Sequence, residues 1–332
     1  MRQKRRRIGR LDLLRRARDR TERVALLALA GAAPAQALDK FRLANGGFGL
    51  WAVEASRIGQ QAGIFAKHGV EVEAFSSAGA GETLQAVIAG SADGSIGIGT
   101  AGVLGAFQKG APVRIFGSNF VGAGDLFYYV RASSPIRKFS DTTAANTIGY
   151  SSNGSSSHMT TLAVIEEGGV KAKATATGDQ ANTLTQVLSG QIDIGFGVPP
   201  FGLRELDEGK IRNIGTGNEA PSLRTQSVRV DMISLRTMTE RREPFLRFVK
   251  AHRETLDWMM KDPQAITLWS KNTGQPEAIL RRAAFEFQPR SAAEHLEVKG
   301  VAGLMEAAVK QKFLTKPLTD AEVKELVQVP PM

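Results

Sequence analysis

The sequence predicts an α/β protein of two doubly wound lobes. Two observations carry that expectation. Short apolar strands alternate with glycine- or serine-rich loops and amphipathic helices, the pattern of parallel βαβ units. One such unit also recurs 100 residues on: Thr83-Leu84-Gln85-Ala86-Val87-Ile88-Ala89-Gly90-Ser91-Ala92-Asp93 is matched by Thr183-Leu184-Thr185-Gln186-Val187-Leu188-Ser189-Gly190-Gln191-Ile192-Asp193. Ile96-Gly97-Ile98-Gly99 follows the first copy and Ile194-Gly195-Phe196-Gly197 the second. A unit present twice at that spacing is no solenoid, and it points to two lobes of one plan.

In chain order, the first element is a basic leader. Of 332 residues, the first 23 hold eleven Lys/Arg and three acids, a net +8 of the chain's +10. The other 309 hold 32 basic and 30 acidic side chains. A nucleic-acid-binding domain would carry its basic stripe on the folded body, so that class of partner is excluded. Val24–Ala33 is ten residues without a charge, followed by Pro34-Ala35-Gln36-Ala37. Basic start, short apolar stretch and A-x-A end compose a secretory signal peptide, cut after Ala37. Ten apolar residues are too few for a membrane span, which takes about 20. The length of the basic stretch leaves the true start codon open. The chain has no cysteine. Disulfides, thiolate metal sites, thiol nucleophiles and a lipid anchor on an N-terminal cysteine are thereby excluded. The expected location is free in a periplasm.

After the leader, Phe41–Gly46 reads as a strand entering a tight loop, and Leu50–Phe65 as a helix stopped by Gly63. Gly69–Phe75 is a second strand, Glu82–Ala89 a helix and Ser95–Gly99 a third strand. The second lobe repeats the plan with the strand Asn146–Tyr150, the loop Ser151–Ser157 and the helix His158–Val170. Leu126–Arg131 and Ser227–Leu235 are the expected hinge strands. The expected domains are the leader 1–37, a first lobe of 38–126 with 229–332, and a second lobe of 127–228. The C-terminal helices are expected at Arg242–Lys261, Pro263–Lys271, Pro276–Phe287, Ala292–Gln311 and Thr319–Gln328, with Pro or Thr at three of the starts.

In open α/β lobes, ligands sit beyond the carboxyl ends of the strands. Those ends are Gly46-Gly47-Phe48, Ser76–Gly81, Gly99-Thr100-Ala101, Asn119, Ser151–Ser157, Thr177-Gly178-Asp179 and Gly197-Val198-Pro199. Ser155-Ser156-Ser157 precedes a helix, where free N–H groups and hydroxyls suit an anion; a plain N-cap is the competing reading. Asp93 and Asp193 each follow a helix-ending glycine and precede a strand, which suits turn or cap hydrogen bonds. His68, His158, His252 and His295 show no metal-ligand spacing, so no metal and no cofactor is expected. Only His158 lies near a candidate loop. Phe48 and Trp51 flank the first βα turn and read as core packing, with an aromatic ligand wall as the competing reading; the stripe Phe245, Phe248, Val249, His252, Leu256, Met259 reads as core. No G-x-S-x-G, Walker or H-E-x-x-H motif is present.

QAGIFAKHGVEVE, AGAGETLQAVIAGSADGSIGIG, GYSSNGSSSHMTTLAVIEEGGV and NTLTQVLSGQIDIGFG together resemble the sulfonate/nitrate/taurine-type solute-binding proteins of ABC importers. Riboflavin- and thiamine-precursor-binding proteins belong to the same superfamily. The resemblance covers most of Phe41–Gly197. It implies a type II periplasmic-binding fold, two hinge strands, and a monomer that delivers a small organic anion to a permease and ATPase. It places Phe48, Gly79, Ala80, Gly81, Thr100, Ala101, Ser155, Ser156, Ser157, Val198 and Pro199 in the pocket loops; Asn119 joins them as a strand end. The fold also hosts an enzyme, the thiamine-pyrimidine synthase, which relies on a cysteine-rich motif that this chain lacks. A ligand-binding partner of a membrane sensor is the other alternative.

Overall fold

The computed structural model describes residues 37–47, 49–77, 79–293 and 296–331. The leader's basic and apolar stretches, Phe48 and His295 lie outside the described residues.

The large sheet holds β1 (Asp39–Asn45), β2 (Val70–Ser76), β3 (Gly94–Gly99), β4 (Val113–Val121) and β10 (Ser227–Ser234), in the order β2-β1-β3-β10-β4. β1 is parallel to β2 and β3, whereas β10 runs antiparallel between β3 and β4. The remaining strands are β5 (Phe127–Arg131), β6 (Thr147–Tyr150), β7 (Lys173–Ala176), β8 (Gly195–Gly197) and β9 (Ile211–Thr216). β5 runs antiparallel between β8 and β9, and β6 is parallel to β7. A parallel bridge from Ile148 to Ile194 links β6 to the segment entering β8. With that bridge the order is β7-β6-β8-β5-β9, the order of the large sheet over again. The two expected hinge strands are thus β5 and β10, each the antiparallel member of its sheet. The chain passes between the sheets in the short segments 122–126 and 217–226.

The 100-residue repeat is structural. The helix Ala80–Ile88 buries Thr83 and Val87, and the helix Gln180–Ser189 buries Thr183 and Val187. Thr83 Oγ1 meets Ser77 Oγ at 2.6 Å, as Thr183 Oγ1 meets Thr177 Oγ1 at 2.6 Å. Asp93 accepts from the Arg42 N–H and Asp193 from the Thr147 N–H, both at 2.8 Å. The two aspartates therefore pin the start of one strand to its neighbour in each sheet.

β10 is buried along its whole length. One face of the large sheet carries an aromatic cluster whose hub is Phe248, on the helix Arg242–Met259. Its ring lies 5.0 Å from Phe41, 5.8 Å from Phe65 and 6.0 Å from Phe116. Trp51, on the helix Trp51–Gln61, packs tilted against Trp269 with ring centres 4.8 Å apart and is core.

The C-terminal helices differ from expectation in two places; the first is Pro276–Phe287, α-helical over Glu277–Arg282 and a π-helix over Ala283–Phe287. The helix expected over Ala292–Gln311 begins only at Val301 and ends at Lys310. Gly300 sits at φ 69, a left-handed conformation that breaks helical continuity there. The backbone before it is used otherwise: the Ala292 and Lys299 carbonyls accept from Val121 and Ser227 at the sheet edge. The sequence marks β4 and β7 only by their ends, Asn119 and Thr177-Gly178-Asp179, and does not mark β9; Asn119 lies inside β4, not at its end.

Phe248→Ala removes the shared partner of three phenylalanine rings and the His252 imidazole. It should lower unfolding stability by about 3–5 kcal/mol, read as a fall in denaturant midpoint with unchanged slope.

Candidate functional site

The parallel strands end on one cavity of about 700 Å³, within the usual range for a small-molecule site. Its wall is built from the first turns of five helices. Leu50 precedes Trp51–Gln61, Gly79 precedes Ala80–Ile88 and Gly99 precedes Thr100–Gln108, none with a side-chain cap. Ser155 caps Ser156–Glu166 and Asp179 caps Gln180–Ser189. All five caps line the cavity. The three uncapped starts present unpaired N–H groups, whereas Ser155 and Asp179 each accept from one first-turn N–H; the helix dipoles all point their positive ends at the cavity, so their convergence favours an anion. Val53, Ile96, Ile98, Leu126, Phe196 and Phe201 supply apolar wall.

The serine loop divides its labour. Ser155 Oγ accepts from the His158 N–H at 3.1 Å. Ser157 Oγ accepts from the Ser151 N–H at 3.0 Å and also meets the Ser151 and Ser155 hydroxyls. Ser157 therefore holds the loop closed, while the Ser156 hydroxyl has no side-chain hydrogen-bond partner among the described residues. Gly99 lies against this loop: a Cβ there would sit 2.5 Å from the Ser156 nitrogen. Only glycine lets β3 and the serine loop approach that closely.

Of the expected site residues, Gly79, Ala80, Ser155, Ser156, Ser157 and Val198 line the cavity together. Gly81, Thr100, Ala101, Asn119 and Pro199 are not on its wall. Thr100 donates to the Ser227 carbonyl and Asn119 to Asp231 Oδ1, so both brace β10. The Pro199 carbonyl accepts from Gln288 Nε2 at 3.0 Å. Phe48 is outside the described residues, although its neighbours Gly47 and Leu50 are wall.

Sequence reasoning missed Arg229. It lies on β10, is 4% exposed, and is the only Lys, Arg or His among the described residues lining the cavity. Nη2 donates to the Asp125 carboxylate, and the guanidinium carbon lies 4.6 Å from the Phe120 ring centre. Burial pushes the Asp125 carboxyl up, and the Arg229 charge pulls it back. The signal lies in the strand SVRVDMIS: a charge between valines in a strand is kept only with a partner or a task. Glu82 and Asp179 are the acids on the wall. Among the described residues no His, Asp and Glu side chains gather as a metal cluster. No described helix is long and apolar enough to cross a membrane.

His158 stacks 4.0 Å from Tyr150 and meets Phe313 edge-on at 5.1 Å. Its Nδ1 accepts from the Gly154 N–H at 3.3 Å. Burial lowers its pKa from 6.5 to about 4.

In comparison with known proteins, the family described as NMT1/THI5 like matches residues 57–266. No curated protein sequence matches. Among solved structures, the alkanesulfonate-binding protein SsuA from Xanthomonas axonopodis pv. citri, bound to MOPS, is similar at TM-score 0.70 and 19% identity, covering 90% of this chain and 100% of that one. The periplasmic aliphatic sulphonate binding protein SsuA from Escherichia coli is similar at 0.68 and 16%, covering 88% and 93%. The periplasmic nitrate-binding protein NrtA from Synechocystis PCC 6803 is similar at 0.64 and 12%, covering 88% and 86%. The chain has the periplasmic-binding-protein fold.

The unfolded chain protonates His158 near pH 6.5 and the folded chain only near 4, so the unfolded state binds more protons in between. Stability should therefore fall as pH drops through that window. His158→Gln should flatten the fall in melting temperature from pH 7 to 4.5, whatever its starting value. Equal slopes would place the acid sensitivity elsewhere.

Proposed function

The chain belongs to the NMT1/THI5-like family, and we propose that it is the periplasmic solute-binding component of an ABC importer. In this reading the mature chain is a monomer of two lobes, 38–126 with 229–332 and 127–228, that closes on a small organic anion. It then delivers that solute to a membrane permease and its ATPase. The signal-peptide pattern before Leu38 supports export. The observation that carries the reading is the cavity itself. Five helix N-termini, the Ser156 hydroxyl and a buried guanidinium face one space with an apolar wall. That wall suits a head with negative charge on a small organic body, the chemistry of a sulfonate or carboxylate.

Two carboxylates, Glu82 and Asp179, lie on the wall. Asp179 is spent as a helix cap, and neither cysteine nor histidine is among the described lining residues. Binding without turnover is the expected behaviour.

A thermal-shift screen of small sulfonates, carboxylates and nitrate should find at least one stabilising anion. A ligand at a hundredfold excess over Kd adds about 2.7 kcal/mol to the folded state. Chemical conversion of the stabilising compound, or no stabilisation by any anion, would overturn the receptor reading. In the same assay Ser156→Ala should weaken that anion about 2–10-fold, the worth of one hydrogen bond, with the ligand-free melting temperature unchanged. Ser157→Ala should instead lower the melting temperature of the empty protein, because it frees the Ser151 N–H.

A further inference from the structure

We propose that Arg229 and Asp125 together set the charge of the solute: Arg229 contacts its anionic group, and Asp125, by holding and partly neutralising that guanidinium, restricts the site to singly charged anions. The inference rests on the anion-receptor reading above and names its substrate class.

Arg229 is the single cationic side chain among the described residues of the wall, and at 4% exposure its field is little screened by salt. Its place is fixed from three sides. β10 is paired on both edges, Phe120 lies under the guanidinium, and Asp125 accepts from Nη2. A guanidinium has five N–H donors in one plane. Asp125 takes one end of that fork, which leaves donors for a second acceptor in the cavity. Asp125 itself is fully buried and is not part of the wall. It therefore orients the cation without blocking access to it.

The charges then decide how much anion the site can hold. The Arg229 charge is already met by Asp125, and two more carboxylates, Glu82 and Asp179, lie on the wall. The positive field that remains is the sum of helix N-termini, about half a charge at each and fading within a turn. That field and the free donors of Arg229 suit one negative charge. A second would have no cation of its own and would share the cavity with two carboxylates. Nitrate, a sulfonate or a carboxylate with an apolar or zwitterionic body fits, whereas sulfate, phosphate-monoester dianions and disulfonates do not.

The test is isothermal titration calorimetry of the full chain at pH 7 and low salt with 1-butanesulfonate, acetate and nitrate as single charges and 1,4-butanedisulfonate and sulfate as double charges. The wild type should bind a monoanion at least about tenfold more tightly than the matched dianion, a 1.4 kcal/mol preference. Asp125→Asn keeps the size and the acceptor but removes the counter-charge; it should shrink that preference about tenfold or more, because Arg229 then presents its whole charge. The pair Asp125→Asn with Arg229→Gln leaves no buried charge unpaired, so folding survives, and should lose monoanion affinity by about 30-fold or more. Arg229→Lys, a second guard against misfolding, should weaken binding about tenfold and keep the preference. If a monoanion binds but the preference ignores Asp125→Asn, or the double variant keeps its affinity, the charge-setting role is overturned while the receptor reading stands. If the wild type binds no anion at all, the receptor reading falls first and takes this inference with it.

Discussion

The two passages of chain between the sheets, and the buried ion pair beside them, are what the rest of the structure depends on. Gly122 donates to the Gln226 carbonyl at 2.9 Å, and Gly217 donates to the Leu126 carbonyl at 2.8 Å. The Ala123 N–H donates to Asn218 Oδ1 at 2.9 Å. These bonds tie segment 122–126 to segment 217–226. Asp125 of the first passage then grips Arg229, three residues past the second. Removing one partner would leave a buried charge, which costs about 3–5 kcal/mol in such pairs. The pair is thus a poor source of net stability but a strong constraint on geometry. It fixes where the two sheets part, and therefore where a space can open between them.

The cavity follows from that constraint and from strand direction. Each sheet places the carboxyl ends of its parallel strands, and the helix starts that follow them, toward the same space. Local chemistry then adjusts the wall. Gly99 admits the serine loop, Ser157 holds that loop in shape, and Gln180 Oε1 accepts from the Val198 N–H at 2.6 Å. Those groups shape the space; Ser156, Arg229 and the uncapped helix starts are left to meet its contents. A second cavity of about 310 Å³ shares Leu50, Gln180, Val198 and Phe201 with the first. It reaches Glu54, whose carboxyl is pushed up by burial and held by Arg57, Gly49 and Asn272.

Much of this was legible in the sequence, for identifiable reasons. The repeated unit showed because both copies must bury the same helix face and pin the same strand start, so Thr83 and Thr183, Asp93 and Asp193 recur. The serine loop and Gly79-Ala80 were legible because a ligand loop after a strand has a local composition. Thr100, Ala101, Asn119 and Pro199 look alike in sequence but spend their polar groups or bulk on β10 and the C-terminal helices. Local composition cannot tell a loop that faces the cavity from one that braces its floor. Arg229 was hidden for the opposite reason. Its partner Asp125 lies 104 residues away, and only the fold makes them neighbours. The stretch from Ala292 reads as helix because its alanines favour one, whereas the Ala292 and Lys299 carbonyls are claimed by Val121 of β4 and Ser227 of β10.

The central claim is that the two sheet-bearing halves close on an anion. Because the chain has no cysteine, two introduced ones can report on closure without background. Glu73→Cys and Lys173→Cys put one spin label at an exposed site on each sheet. Pulsed electron–electron distance measurement should give a longer, broader distribution without solute and a shorter, narrower one once a binding anion saturates the cavity. A distribution that does not move when a bound anion saturates the protein would contradict the account.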